Sequence, residues 1–207
     1  MAVYQQTAVA DAIAHQHVTH QNSVYGADII ASAGFTAGAL WAYIHMFHGF
    51  TEAASNADPG SFYVQTSLEG AGVDDAWANV AIFPATIVTP SDEALDAQEV
   101  AGTSVLAVTA TAGFVANDLI YITDSSADNL SEWHQIDIID TNVSINLVDD
   151  LDNQKEIGDT IFSDAEHFTF PLDLSGIAKW RVIFKHEGTT GANVAIRARF
   201  IEVAAFA

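Results

Sequence analysis

The chain has 207 residues, half of them hydrophobic, with 6 basic against 27 acidic side chains and no cysteine. A formal charge of −21 repels phosphate backbones and anionic lipid, so neither nucleic acid nor a membrane surface is an expected partner. Without cysteine there is no disulfide and no thiolate metal site, and the redox compartment is left open.

The charge is unevenly spread. No Lys or Arg precedes Lys155, and the other five, Lys179, Arg181, Lys185, Arg197 and Arg199, fall in the last strands of the chain. Seven acidic groups follow residue 154, so the earlier part carries 20 with nothing to offset them. Such a surface attracts cations or a basic partner. The opening MAVYQQTAVADAIA lacks a basic n-region and a long apolar h-region, so no secretory signal is expected. The most apolar stretch, Ala27 to Phe50, is interrupted by Asp28, His45, His48 and three glycines, which argues against a membrane span.

Residues 1–26 are polar and rich in Ala, Gln and His, and are expected to form an extended arm that docks on a neighbouring surface in an assembly. A short helix over 8–15 is the local alternative, weakened by β-branched Val9 and Ile13. Ala39 to Phe50 reads as a strand with Leu40, Ala42, Ile44, Met46 and His48 on one face and Trp41, Tyr43, His45 and Phe47 on the other. Both faces are largely apolar, which predicts a central strand buried on both sides. Asp58-Pro59-Gly60 is a turn signal before the alternating strand Ser61 to Leu68, and Trp77 to Phe83 reads as another strand. Pro84 to Ala101 is an acidic connector without sustained hydrophobic rhythm.

Beyond it short strands arrive about every ten residues: Thr103 to Thr109, Asp118 to Thr123, Glu132 to Ile139, Val143 to Val148 and Asp159 to Phe162. Asp140-Thr141-Asn142 between two β-branched runs is a hairpin signal, and the spacing predicts a small barrel. Longer strands then return at Glu166 to Leu172, Trp180 to His186 and Val194 to Val203. The last two read as an antiparallel pair joined by a Gly-rich turn, completing the N-terminal sheet. The predicted fold is all-β: an antiparallel, jelly-roll-like sandwich from both chain ends (27–96 and 166–207), an inserted small β-barrel (97–165) and the arm (1–26).

Candidate chemistry is sparse. His15, His17 and His20 offer metal-type donors, but HQHVTH is not an established ligand spacing. A strand would place His15 and His17 on one face, and the simpler reading is an interface arm. His45 and His48 would point to opposite faces of their strand, against joint ligation. The acidic loops at Asp124 to Asp128 and Asp149 to Asp152 lack the register of a calcium loop and read as solvated turns. No nucleophile elbow, Walker loop or dinucleotide fingerprint occurs, so no enzyme, catalytic residue, metal or cofactor is expected. The four tryptophans read as sheet packing, with Trp77, after Asp74 and Asp75, the best placed for exposure. On the closing pair, Lys179, Arg181 and Lys185 share one parity and Arg197 and Arg199 share one on the next strand. Together they would form one exposed basic stripe, engaged either by the chain's own carboxylates or by the acidic face of another copy.

The runs SFYVQTSLEGAGVDDAWANVAIF and GIAKWRVIFKHEGTTGANVAIRARFIEV, separated by a long break, resemble sandwich proteins encoded among tailed-phage structural genes. The intervening stretch, with its -DLIYI-, -EWHQIDIID- and -NVSINL- strands, is similar to small β-modules of phage head and tail proteins. The likeness spans roughly residues 27–203, and no functional residue transfers from it. It implies a virion structural protein made in the host cytoplasm, of the capsid decoration or head-accessory type, with a tail or neck component as the close alternative. Its implied partners are other copies of itself, in a homo-oligomer, and major capsid or other virion proteins. A carbohydrate-binding or adhesion module is the rival of another class.

Overall fold

The structure is a computed structural model and describes residues 3–19, 22–26, 29–30, 40–52, 58–69, 76–186 and 193–206. It is all-β, with antiparallel pairing throughout the described strands. In chain order the strands are β1 (Val3–Gln6), β2 (Ala10–Val18), β3 (Asn22–Tyr25), β4 (Ile29–Ile30), β5 (Trp41–Phe50), β6 (Ser61–Ser67), β7 (Ala78–Pro84) and β8 (Asp92–Ala94). They continue as β9 (Val105–Ala107), β10 (Leu119–Ile122), β11 (Glu132–Asp140), β12 (Ser144–Leu147), β13 (Thr160–Phe162), β14 (Glu166–Asp173), β15 (Lys179–His186) and β16 (Val194–Phe206).

Two sheets make a sandwich from both ends of the chain. The first runs β1-β16-β5-β14, with β2 also on β16; the second runs β3-β15-β6-β7, with β4 also on β15. Alternation supplies the core between them. Ala42, Ile44 and Met46 of β5 and Ile196 and Ala198 of β16 face Phe62 and Val64 of β6 and Trp180, Val182 and Phe184 of β15, all fully buried. At about 1.5–3 kcal/mol for each large apolar side chain taken out of water, this interface is the main source of stability. Gly60 closes the turn before β6 at φ +93°, where a Cβ would also strike Phe184 and the Lys185 carbonyl.

The closing strands are not a hairpin. β15 pairs with β3, β4 and β6, whereas β16 pairs with β1, β2 and β5 in the opposite sheet. Each carries an apolar face, and stacking those faces across the core buries both at once, which pairing edge to edge in one sheet does not. The Trp180 ring meets Phe200 edge-on at 4.8 Å, and its Nε1–H donates to Glu202 Oε1 at 3.2 Å across the sandwich.

Three further expectations need correction. The N-terminal arm, expected to dock on a neighbouring surface, is extended without the alternative helix over 8–15 but stays on its own molecule. It forms strands β1 and β2 along β16, then β3 along β15, so the arm lies on its own sandwich and closes an edge of both sheets. Strand β5 is central, but its second face is covered only at the Phe47–Gly49 end, by Trp133 and Tyr121; Trp41 and Tyr43 on that face are 41% and 45% exposed. The acidic connector contributes β8, which pairs with β13.

β8 to β13 form a separate curled sheet, a half-barrel in the order β8-β13-β10-β11-β12-β9. Its ends approach where Asp96 N–H donates to the Ala107 carbonyl at 3.0 Å. Leu95, Leu106, Ile120, Ile122, Ile136, Ile145 and Ile161 fill its own core. Asp140 to Val143 turn the β11–β12 hairpin, with Asn142 at φ +54°.

One polar cluster is buried there. Lys155 is fully enclosed, with Nζ 2.8 Å from Glu132 and 3.5 Å from Asp124, and it also donates to the Leu130 carbonyl. Glu132 also accepts from His134 Nε2 at 2.8 Å and from the Asp152 and Asn153 backbone N–H groups at 2.8 and 2.9 Å. Burial by itself would raise the Glu132 pKa; the hydrogen bonds from His134, Lys155 and Asp152 outweigh it and hold it at about 2. Lys155→Met leaves two buried carboxylates without their cation and is expected to cost about 3–5 kcal/mol, read as a fall in the urea midpoint. A loss below about 1 kcal/mol would show the cluster to be solvated.

His48 sets the acid limit. It is fully buried on the inward face of β5, with Nε2 3.1 Å from the Pro59 carbonyl. Burial, opposed by that hydrogen bond and aided by nearby His186, lowers its pKa from 6.5 to about 4. The unfolded state therefore binds more protons in between, so stability falls as pH drops from about 6.5 to about 4, by up to about 3 kcal/mol. Glu132 adds a second loss below its unfolded value of 4.5. Glu202, raised by burial against the Trp180 hydrogen bond, acts in the opposite sense. Urea midpoints at pH 7, 5.5 and 4 should show the first limb in the native chain and a flatter one in His48→Gln. The same slope in both would remove His48 from the account.

Candidate assembly surface

The five late basic residues do not share a face. Lys179, Arg181 and Lys185 lie on the outer side of β15, Arg197 and Arg199 on the outer side of β16, and the two strands belong to opposite sheets. The single basic stripe is therefore overturned: alternation sends each set outward from a different layer, and the sandwich core lies between.

Each set is engaged within the chain. The Arg181 guanidinium sits 4.0 Å from the Trp77 ring centroid, and its Nε donates to Gln65 Oε1 at 2.9 Å. Lys179 is 3% exposed, with Nζ 5.3 Å from the same ring; Lys185 Nζ lies 5.1 Å from the Tyr63 ring. Arg197 grips Asp11 of β2 with two bonds, Nε at 2.9 Å and Nη2 at 3.2 Å, and Arg199 Nε reaches the same carboxylate at 3.8 Å. These contacts tie β2 to β16, and they are partly exposed, so their energy is screened. Asp11→Ala should cost less than about 1 kcal/mol of stability, read from the urea midpoint and slope; a larger loss would show that the two arginines hold β2 in place.

His15 and His17 of β2 are brought together, as one strand face requires. Both Nε2 atoms converge on the buried hydroxyl of Tyr121 in β10, at 3.0 and 3.2 Å. His20 lies outside the described residues. His45 and His48 point to opposite faces. His45 is exposed and meets His167 of β14, Nδ1 to Nε2 at 2.9 Å, while the His167 ring stacks on Phe47 at 4.4 Å. Burial, then the neighbouring His45, lowers the His167 pKa. Asp124 is spent on the Ser126 and Ala127 backbone N–H groups and on Lys155. Trp77 is half-buried, while Trp41 is exposed.

The sequence reading missed the outer face of the first sheet. Register places Trp41 opposite Val203, Tyr43 opposite Ile201 and Pro171, and His45 opposite Arg199. With exposed Leu40 and Val9, these residues make an apolar, aromatic patch. Beside it, Val9, His45, Phe47, Arg199, Phe200 and Ile201 line a hollow of about 240 Å³. The signal was present in WAYIHMF, whose odd positions are aromatic or His. Periodicity alone reads it as a second buried face, because it cannot tell a covering layer from a partner.

No protein family and no curated protein matches the chain significantly. Among solved structures, the chain aligns with VP17, a capsid protein of bacteriophage P23-77, over 98% of both chains, at 9% identity and a TM-score of 0.20. A TM-score that low does not establish a common fold, and no functional reading follows from it.

Proposed function

We propose that this chain is a non-enzymatic structural protein of a tailed-phage particle, a capsid decoration or head-accessory protein that assembles with copies of itself and with other virion proteins. The observation that carries the assembly reading is the apolar patch on the outer face of β5. Trp41 and Tyr43, beside Leu40 at 38% exposure, stand on a central strand of a strongly acidic chain. Large aromatic side chains ringed by polar groups are what protein interfaces bury at their centres. The virion placement rests on the resemblance of the sandwich and insertion sequences to phage structural proteins. Strong acidity suits an outer capsid surface better than a lining that faces DNA.

The carbohydrate-binding alternative loses its best residue, because Arg181 covers a face of Trp77. It would have to use Trp41 and Tyr43 instead, so one variant separates the two readings. Wild type is expected to self-associate in light scattering and to bind purified capsids. Trp41→Ser/Tyr43→Ser should be monomeric and bind at least about tenfold more weakly, since two central aromatics commonly contribute more than about 1.4 kcal/mol. A wild-type monomer without affinity for capsids would overturn the assembly reading. Glycan-array binding abolished by the same variant would favour the rival.

A further inference from the structure

Where β2 meets the half-barrel, three donor atoms from distant parts of the chain converge. His15 and His17 stand two apart on one strand, so their rings project from the same face. Their Nε2 atoms lie 3.0 and 3.2 Å from Tyr121 Oη, and the two ring centroids are 5.6 Å apart. For donor–metal bonds of about 2.0–2.1 Å, adjacent donors lie about 2.9–3.4 Å apart at angles between square and tetrahedral. The observed separations fall in that range. Two imidazoles with one phenol select ions of the copper and zinc kind rather than calcium or magnesium.

The third donor is held in place. Tyr121 is fully buried, its ring 4.8 Å from Trp133, which in turn lies 5.4 Å from the His15 ring. Gly49 makes the room: a Cβ there would come within 2.6 Å of Tyr121 Cγ and 2.7 Å of its Cβ. His15 is half-buried and His17 exposed, so the histidine side opens to solvent. Among the described residues no three His, Cys, Asp or Glu side chains converge on a metal position; here the set is completed by a phenol.

We propose that His15, His17 and Tyr121 bind one divalent transition-metal ion, of the copper or zinc kind, at the seam between the N-terminal strands and the half-barrel. A neutral hydroxyl can donate to one imidazole and accept from the other, which accounts for the convergence without the ion. On binding, both Nε2 atoms present lone pairs to the metal, the phenol releases its proton to solvent, and a water completes the coordination. The ion would clip β2 to β10 across more than 100 residues of intervening chain, stabilising the fold by mass action.

The test uses the full chain stripped with chelator, titrated with Zn²⁺ by calorimetry and with Cu²⁺ by Trp fluorescence and visible absorption. The expected result is one ion per chain, a higher Tm, and a phenolate-to-copper charge-transfer band. His15→Ala and His17→Ala should each weaken binding at least about tenfold. Tyr121→Phe, which removes only the hydroxyl, should abolish the charge-transfer band and the proton release. His45→Ala, which breaks the other histidine pair, should bind as wild type. The proposal fails if binding is not saturable, if it survives His17→Ala but not His45→Ala, or if bound copper shows no charge-transfer band. Should His15→Ala fail to fold, His17→Ala at its exposed position decides the matter.

Discussion

The molecule depends on one constraint: β15 and β16 each carry an apolar face too large to leave in water, and they solve this by lying opposite one another. Trp180 against Phe200 and Glu202 is the centre of that contact. Once the two strands occupy different sheets, β5 takes its place beside β16 and β6 beside β15, and the N-terminal strands cover the remaining side of each. The outward residues of β15 and β16 then diverge, which is why the late basic residues meet local partners on two faces, aromatic rings on one and Asp11 on the other, rather than forming one positive surface.

The N-terminal strands are the hinge of this arrangement. β1 and β2 lengthen the first sheet and β3 the second, so a single segment spans both layers. It is held by backbone ladders, by Asp11 against two arginines, and by His15 and His17 on Tyr121. The last of these contacts joins the sandwich to the half-barrel, whose own core is built around aliphatic side chains, beside a buried lysine paired with two carboxylates.

Much of the architecture was legible in advance. Five of the six half-barrel strands, β9 to β13, lie within the runs of alternating hydrophobicity to within one residue, because a period of two and polar turns are local properties, whereas β8 carries no such rhythm. β6, β7 and β14 follow for the same reason. β2 is legible only in part: β-branched Val9 and Ile13 disfavour a helix and point to an extended arm, but the ladder to β16 that makes it a strand of this sandwich is a tertiary fact. The role of Lys155 is not legible: in the sequence it is a lone cation after a long acidic stretch, and its burial and its partners at positions 124 and 132 are tertiary facts.

The site divides in the same way. That His15 and His17 would share a strand face follows from backbone geometry alone. That Tyr121, 104 residues beyond His17, would meet them does not. Equally, the sequence by itself determined the all-β class, the acidic character and which residues of a strand share a face, because these rest on side-chain chemistry and the pleat. Which strands became neighbours, which face of β5 met solvent and which residues converged were decided only by tertiary structure. Those outcomes depend on how several apolar faces can be buried simultaneously, a condition no single segment contains.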